Sequence, residues 1–114
     1  MGTETSISQW RRGVIEYCLL IFLSRGENYG YEIVQALRSI EALAVSESTV
    51  YPILSRLRAD RMLKVRDVPS DSGPPRRYFS LTPAGRERLA EMEAYWITLS
   101  DAVNQLKKSK GALK

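Results

Sequence analysis

Histidine is absent from the 114 residues. That removes imidazole-based general-base chemistry, Ser-His-Asp and Cys-His arrangements, and the His-containing zinc sites. Cysteine occurs once, at Cys18, so no internal disulfide can form. Inside an apolar run that thiol reads as a small hydrophobe rather than a reactive group. The longest apolar run, residues 17–23, is seven residues long, far short of the roughly 20 that cross a bilayer. Glu16 precedes it and no small-residue cleavage site follows, so it does not read as a secretory leader. No phosphate-binding loop and no motif-placed carboxylate pair is present. These absences argue against an enzyme, a metal, a cofactor or a membrane segment, and the expected location is cytoplasmic.

What is present is a chain of one-domain size with 44% hydrophobic and 26% charged residues, the balance of a globular protein. Its net charge of +4 is unevenly spread. Residues 1–55 carry four Arg against six Glu, whereas residues 56–88 carry eight Arg and one Lys against three Asp and one Glu. A polyanion would meet the middle of the chain. Charge standing alone fits a solvated basic face better, and the placement of these residues decides between the two.

Ser8 is a suitable cap for a first helix whose apolar positions include Trp10, Val14, Tyr17, Cys18 and Ile21, and Arg25-Gly26 supplies its stop. Residues 27–30 are turn chemistry, and Ile33, Val34, Leu37 and Ile40 then follow at amphipathic spacing. After a short connector, Ser46 is placed to cap a third helix running to about Arg61, with Val50, Ile53, Leu54 and Leu57 as its packing side. Pro52 either bends the first turn of that helix or delays its regular start. Leu63-Lys64-Val65-Arg66 alternates like a half-buried strand. A turn-rich stretch over 69–75 leads to a second strand, Arg76-Arg77-Tyr78-Phe79-Ser80-Leu81. On that strand Arg77 shares a side with Phe79 and Leu81, which would draw it inward and leave Arg76 the more exposed. Thr82-Pro83 then opens a long last helix.

The fold expected is mainly α with a small β-hairpin: a winged helix-turn-helix over 8–82, a dimerisation helix over 83–108, a loose arm over 1–7 and a mobile basic tail over 109–114. In such a fold the third helix enters the major groove and the hairpin meets phosphates. Small polar side chains let a helix approach base edges. The DNA-facing set expected is Tyr31, Ser46, Ser48, Thr49, Tyr51, Pro52, Ser55 and Arg56 on the helices with Lys64, Arg66, Arg76 and Arg77 on the wing. A winged-helix module that binds protein instead is the competing reading, and the basic, polar face argues against it.

Leu89, Met92, Trp96, Leu99, Val103 and Leu106 recur at three-four spacing, a heptad seam. Packing on its own domain is one use of such a stripe. Pairing with a second copy is the favoured one, with Trp10, Val14 and Tyr17 helping to bury it.

These motifs resemble the PadR family of bacterial transcriptional regulators. Tyr29-Gly30-Tyr31-Glu32-Ile33 is similar to its helix-two signature and Ser48-Thr49-Val50-Tyr51-Pro52-Ile53-Leu54-Ser55-Arg56-Leu57 to its recognition helix. Arg76-Arg77-Tyr78-Phe79-Ser80-Leu81-Thr82-Pro83-Ala84-Gly85-Arg86 resembles its wing and the start of its last helix. The single C-terminal helix is similar to the short subfamily. The resemblance implies a dimeric winged-helix DNA-binding protein, usually a repressor, and gives Pro52 a regular place. It also implies Gly near the end of helix three, where this chain has Arg61. In some short members a tryptophan on the last helix stacks on a flat aromatic effector, which makes Trp96, with Trp10 and Met92, the effector candidates; plain interface packing is the other use of Trp96.

Overall fold

The computed structural model describes residues 6–109. Helix α1 (Ser6–Leu23) leads into a short strand β1 (Asn28–Tyr29), helix α2 (Gly30–Arg38), a 3-10 turn at Glu41–Leu43 and helix α3 (Glu47–Ala59). Strands β2 (Leu63–Ser70) and β3 (Gly73–Leu81) form the wing, and helix α4 (Pro83–Lys108) ends the described chain. This is the mainly helical winged-helix architecture that the apolar periodicities predict.

The core forms where the apolar faces of three helices and the base of the wing converge. Ile15, Leu19, Leu20 and Leu23 of α1, Ile33, Val34 and Leu37 of α2, and Val50, Ile53, Leu54 and Leu57 of α3 are buried with Leu63, Phe79 and Leu81. Among the described residues no polar or charged side chain is buried with them. The connector between α2 and α3 is tied to α1 by Arg11, whose guanidinium donates to the carbonyls of Ala42 (3.1 Å) and Ala44 (3.0 Å).

Several boundaries differ from the sequence expectation. Helix α1 starts at Ser6, so Ser6 and Ile7 are helical rather than part of an arm, while residues 1–5 and 110–114 lie outside the described residues. Helix α2 ends at Arg38, which leaves Ile40 in extended backbone and 54% exposed instead of on the buried face. Helix α3 begins at Glu47 and runs through Pro52. Its first turn is tightened, because the Ser46 carbonyl accepts from both Thr49 N–H (3.0 Å) and Val50 N–H (3.2 Å). Ser46 has the backbone of a cap, but its hydroxyl pairs with that of Ser48 at 2.7 Å and caps nothing.

The end of α3 answers the question raised by Arg61. Met62 N–H bonds to the Leu57 carbonyl (2.8 Å) and Arg61 N–H to the Arg58 carbonyl (2.9 Å). That pairing is a Schellman stop, which requires a left-handed residue. Arg61 supplies it at φ 64°, where a glycine would be unstrained.

The sheet holds a strand where the residue pattern over 27–30 predicts only a turn. Its order is β1-β3-β2, with Tyr29 opposite Tyr78 and Asn28 opposite Phe79. The wing strands are also longer than expected, closing at a tip of Asp71 and Ser72. Pro69 sits at a register irregularity between Val68 and Ser70, where a missing N–H does least harm.

Thr82 caps α4 as expected, its hydroxyl accepting from Gly85 N–H (3.0 Å) while donating to the Arg61 carbonyl (2.6 Å). The start of α4 lies so close to the turn after α3 that a Cβ on Gly85 would collide with the Met62 carbonyl oxygen. From there the 26-residue helix runs about 39 Å and leaves the rest of the molecule behind. The radius of gyration is 17.1 Å, against about 13 Å for a compact chain of this size.

Candidate nucleic-acid interface

Helix α3 divides as its sequence predicts. Val50, Ile53, Leu54 and Leu57 pack inward, which turns Ser48, Tyr51, Pro52, Ser55 and Arg56 to the exposed side, with Thr49 half-buried. Pro52 offers no N–H to the Ser48 carbonyl, and both residues are on this exposed face, where water can take the missing bond. Ser46, Ser48 and Thr49 cluster at the start of the helix. Ser46 and Thr49 border a shallow concavity of about 400 Å³ shared with Arg11 and Arg12.

Between α3 and the wing runs a groove of about 620 Å³. Tyr31 and Tyr51 line it from the helices with Ser55, and Pro75, Arg76 and Arg77 from the wing. The structure thus brings together five of the expected DNA-facing residues from three separate segments. Tyr51 crosses directly beneath the start of α2: a Cβ on Gly30 would lie 2.5 Å from the Tyr51 ring. Glycine at 30 is therefore what lets this ring sit at the groove floor. Burial, with a smaller contribution from Glu47, pushes the Tyr51 phenol pKa up, so it stays a neutral hydrogen-bonding group.

The register of the wing assigns its cations to two faces. Asp67 pairs with Arg77, Val65 with Phe79 and Leu63 with Leu81, so Arg77 shares the core-side face as the alternation predicts. It is not drawn inward, however: its side chain is 54% exposed and meets Asp67 at 3.2 Å. The strand has by then extended past the core, so a position on that face no longer means burial. On the opposite face, Lys64 lies across from Ser80, Arg66 from Tyr78 and Val68 from Arg76.

Here the residues that sequence reasoning passed over are Tyr29, Tyr78 and three carboxylates. The Tyr29 and Tyr78 rings meet at 5.4 Å, Arg76 lies over Tyr29 at 4.8 Å and Arg66 over Tyr78 at 5.6 Å. Arg66 also forks onto Glu27, donating to both carboxylate oxygens. That hydrogen bond holds the Glu27 carboxyl below its ordinary range and raises the guanidinium. Arg56 reaches back to Glu16 at 3.3 Å, and Arg88 meets the other oxygen of Glu16 at 3.1 Å. No local pattern announces these partners, which stand 39 and 40 residues apart for Arg66 and Arg56. The Tyr29 position was readable only once its strand was recognised.

The α4 seam is split. Leu89 and Met92 are half-buried and pack partly against the chain's own core. Beyond them Trp96 is 48% exposed, and Leu99, Val103 and Leu106 are exposed. On α1, Val14 and Tyr17 are half-buried and Trp10 stands 79% exposed. Tyr17 and Trp96 meet with ring centroids 6.1 Å apart. Among the described residues no helix is long and apolar enough to cross a membrane.

Comparison with known proteins gives this geometry a family. Residues 19–91 match the transcriptional regulator PadR-like family. A PadR-like transcription factor from Bacteroides fragilis is 41% identical over 87% of this chain and 95% of its own, with a TM-score of 0.76. A PadR family transcriptional regulator from Eggerthella lenta is 31% identical over 90% of this chain and 88% of its own, TM-score 0.82. A PadR-like transcriptional regulator from Bacillus cereus is 35% identical over 90% of this chain and all of its own (100%), TM-score 0.77. No curated protein sequence is significantly similar to the chain. With the family match spanning the recognition helix, the wing and the start of α4, the chain belongs to the PadR-like family and is a DNA-binding transcriptional regulator rather than an enzyme.

Proposed function

We propose that the protein is a cytoplasmic homodimeric repressor that places α3 in the major groove of double-stranded DNA and its wing against the flanking phosphates. The observation that carries this reading is the groove between α3 and β3, lined by Tyr31, Tyr51, Ser55, Arg76 and Arg77. Ser46, Ser48, Thr49, Tyr51 and Ser55 are short or neutral groups suited to base edges, with Pro52 shaping the face. Lys64, Arg66, Arg76, Arg77 and Arg56 are the cations. The uncovered stretch of α4 from Trp96 to Leu106 supports self-association, since an apolar stripe of that length gains by pairing. A twofold dimer would present two copies of α3 to half-sites one helical turn, or a multiple of it, apart. Trp10, Val14 and Tyr17 would join that interface.

The exposed Trp96 beside Tyr17 further favours a planar aromatic effector that stacks there, with the exposed Trp10 of α1 and the half-buried Met92 of the seam as the other candidates to contact it. Such a compound relieves repression only if it binds the DNA-free arrangement more tightly. The test combines genomic-fragment selection, which yields the operator, with sedimentation of wild type and Leu99→Asp. Wild type is expected to sediment as a dimer and the variant as a monomer with weakened operator binding. An unchanged dimer would place the interface elsewhere. Aromatic titrations that neither quench tryptophan fluorescence nor change DNA affinity would remove the effector.

A further inference from the structure

The wing's cations are not equivalent. Arg76 rests on the Tyr29 ring, and among the described residues no carboxylate stands within ion-pair distance of it. Arg66 and Arg77 are each engaged by an acid of the same chain: Arg66 by both oxygens of Glu27, and Arg77 by Asp67 at 3.2 Å. Asp67 also lines the groove itself, beside Arg76 and Arg77.

Carboxylates in these places work against binding to a polyanion. Affinity for duplex DNA comes largely from neutralising phosphates and releasing their counterions, whatever the sequence. A guanidinium already forked onto a carboxylate has to exchange that partner for a phosphate. The acid left behind then stands within a Debye length, about 8 to 10 Å, of the incoming charge. Fold stability does not account for the pairs, since exposed ion pairs contribute little to it, and the side chains are 61% and 36% exposed for Arg66 and Glu27 and 54% and 56% for Arg77 and Asp67. The geometry on Arg66 is nonetheless specific: a two-pronged contact of the kind guanidinium makes with phosphate, on a side chain also held over Tyr78.

We propose that Glu27 and Asp67 set the DNA affinity of this protein by occupying Arg66 and Arg77 in place of phosphate, so that the wing's sequence-independent grip is held below what its cation count would give. This rests on the reading of the wing as the phosphate-contacting surface. Base reading by Ser48, Thr49, Tyr51 and Ser55 of α3 is left untouched, because these side chains carry no charge to be countered; Arg56 of the same helix meets a different acid, Glu16. The two acids thereby separate the strength of the backbone grip from the reading of bases. Arg76, seated on an aromatic ring rather than an acid, is a cation ready for phosphate from the outset.

The test measures binding of the full-length protein to a random-sequence duplex as a function of salt, for wild type, Glu27→Gln, Asp67→Asn and the pair combined. Each amide keeps the shape and removes the charge, and circular dichroism confirms the fold. Each single variant is expected to bind several-fold more tightly at 50 mM salt. The slope of log affinity against log salt should steepen by about 0.9 per freed arginine, so the gain shrinks about threefold by 200 mM. In an Arg66→Ala background Glu27→Gln should lose most of its gain. Unchanged or weaker binding by both amide variants would overturn the proposal, since the acids would then be bystanders or supports that aim the arginines at DNA. A full gain retained without Arg66 would overturn it too, because the acid would be acting as a distant like charge. Failure of the underlying reading looks different: wild type itself would then show no salt-dependent affinity for duplex DNA.

Discussion

The winged-helix head and the outer half of α4 are built from similar apolar residues and put them to opposite uses. In the head, Leu54, Leu57 and their neighbours are buried on every side within one chain. On α4 beyond Met92, Leu99, Val103 and Leu106 repeat just as regularly yet remain exposed, and Trp96 is half-covered beside Tyr17. Helical period alone does not separate them. What does is distance from the fixed point at Thr82 and Gly85: Leu89 and Met92 still reach the core and Trp96 reaches Tyr17, whereas Leu99, Val103 and Leu106 further along are exposed. Apolar periodicity states that a face will be covered, and it is silent on which chain supplies the cover.

This contrast can be broken by substitution. Leu57→Ala is expected to have the largest effect, lowering stability by about 2 to 5 kcal/mol through lost burial and a residual cavity. Denaturant unfolding should give the same loss at every protein concentration. For Leu99→Asp the loss should instead fade on dilution, because only the contribution of association is removed. A concentration-independent loss there would mean that Leu99 stabilises its own chain.

The junction between the two regions gives the next effect. Thr82→Ala removes the acceptor for Gly85 N–H and the donor to the Arg61 carbonyl, so it should cost about 1 to 2 kcal/mol. Thermal melts showing no change would mean that packing alone fixes the start of α4. Arg61→Gly should act in the other direction and least of all, raising stability by about 0.5 to 1 kcal/mol as left-handed strain is relieved against the greater entropy loss of glycine. A drop in stability would show that the Arg61 side chain contributes more than its backbone conformation costs.

Much of the fold was legible because it is written in short-range pattern. Val50, Ile53, Leu54 and Leu57 announce both a helix and its buried side, and Thr82-Pro83 announces where another begins. Misreadings fell where a local signal had two outcomes. Residues 27–30 look like turn and part of them is strand, because β3 has a free edge there to pair with. Ser46 looks like a hydroxyl cap and sits at the cap position, but Ser48 takes the hydroxyl. Arg77 follows the alternation of its strand and stays exposed, because the strand outruns the core.

The sequence by itself determined the four α-helices and the wing hairpin, their order, most of the buried sides of the helices and the concentration of positive charge between residues 56 and 88, since each is written in residues close together in the chain. Tertiary structure alone decided which cations stand ready and which are already countered. Glu16 meets Arg56, and Glu27 meets Arg66, across 40 and 39 residues of chain. Such encounters depend on how the packed helices and sheet bring distant surface positions together, and nothing in the local spacing of residues encodes that.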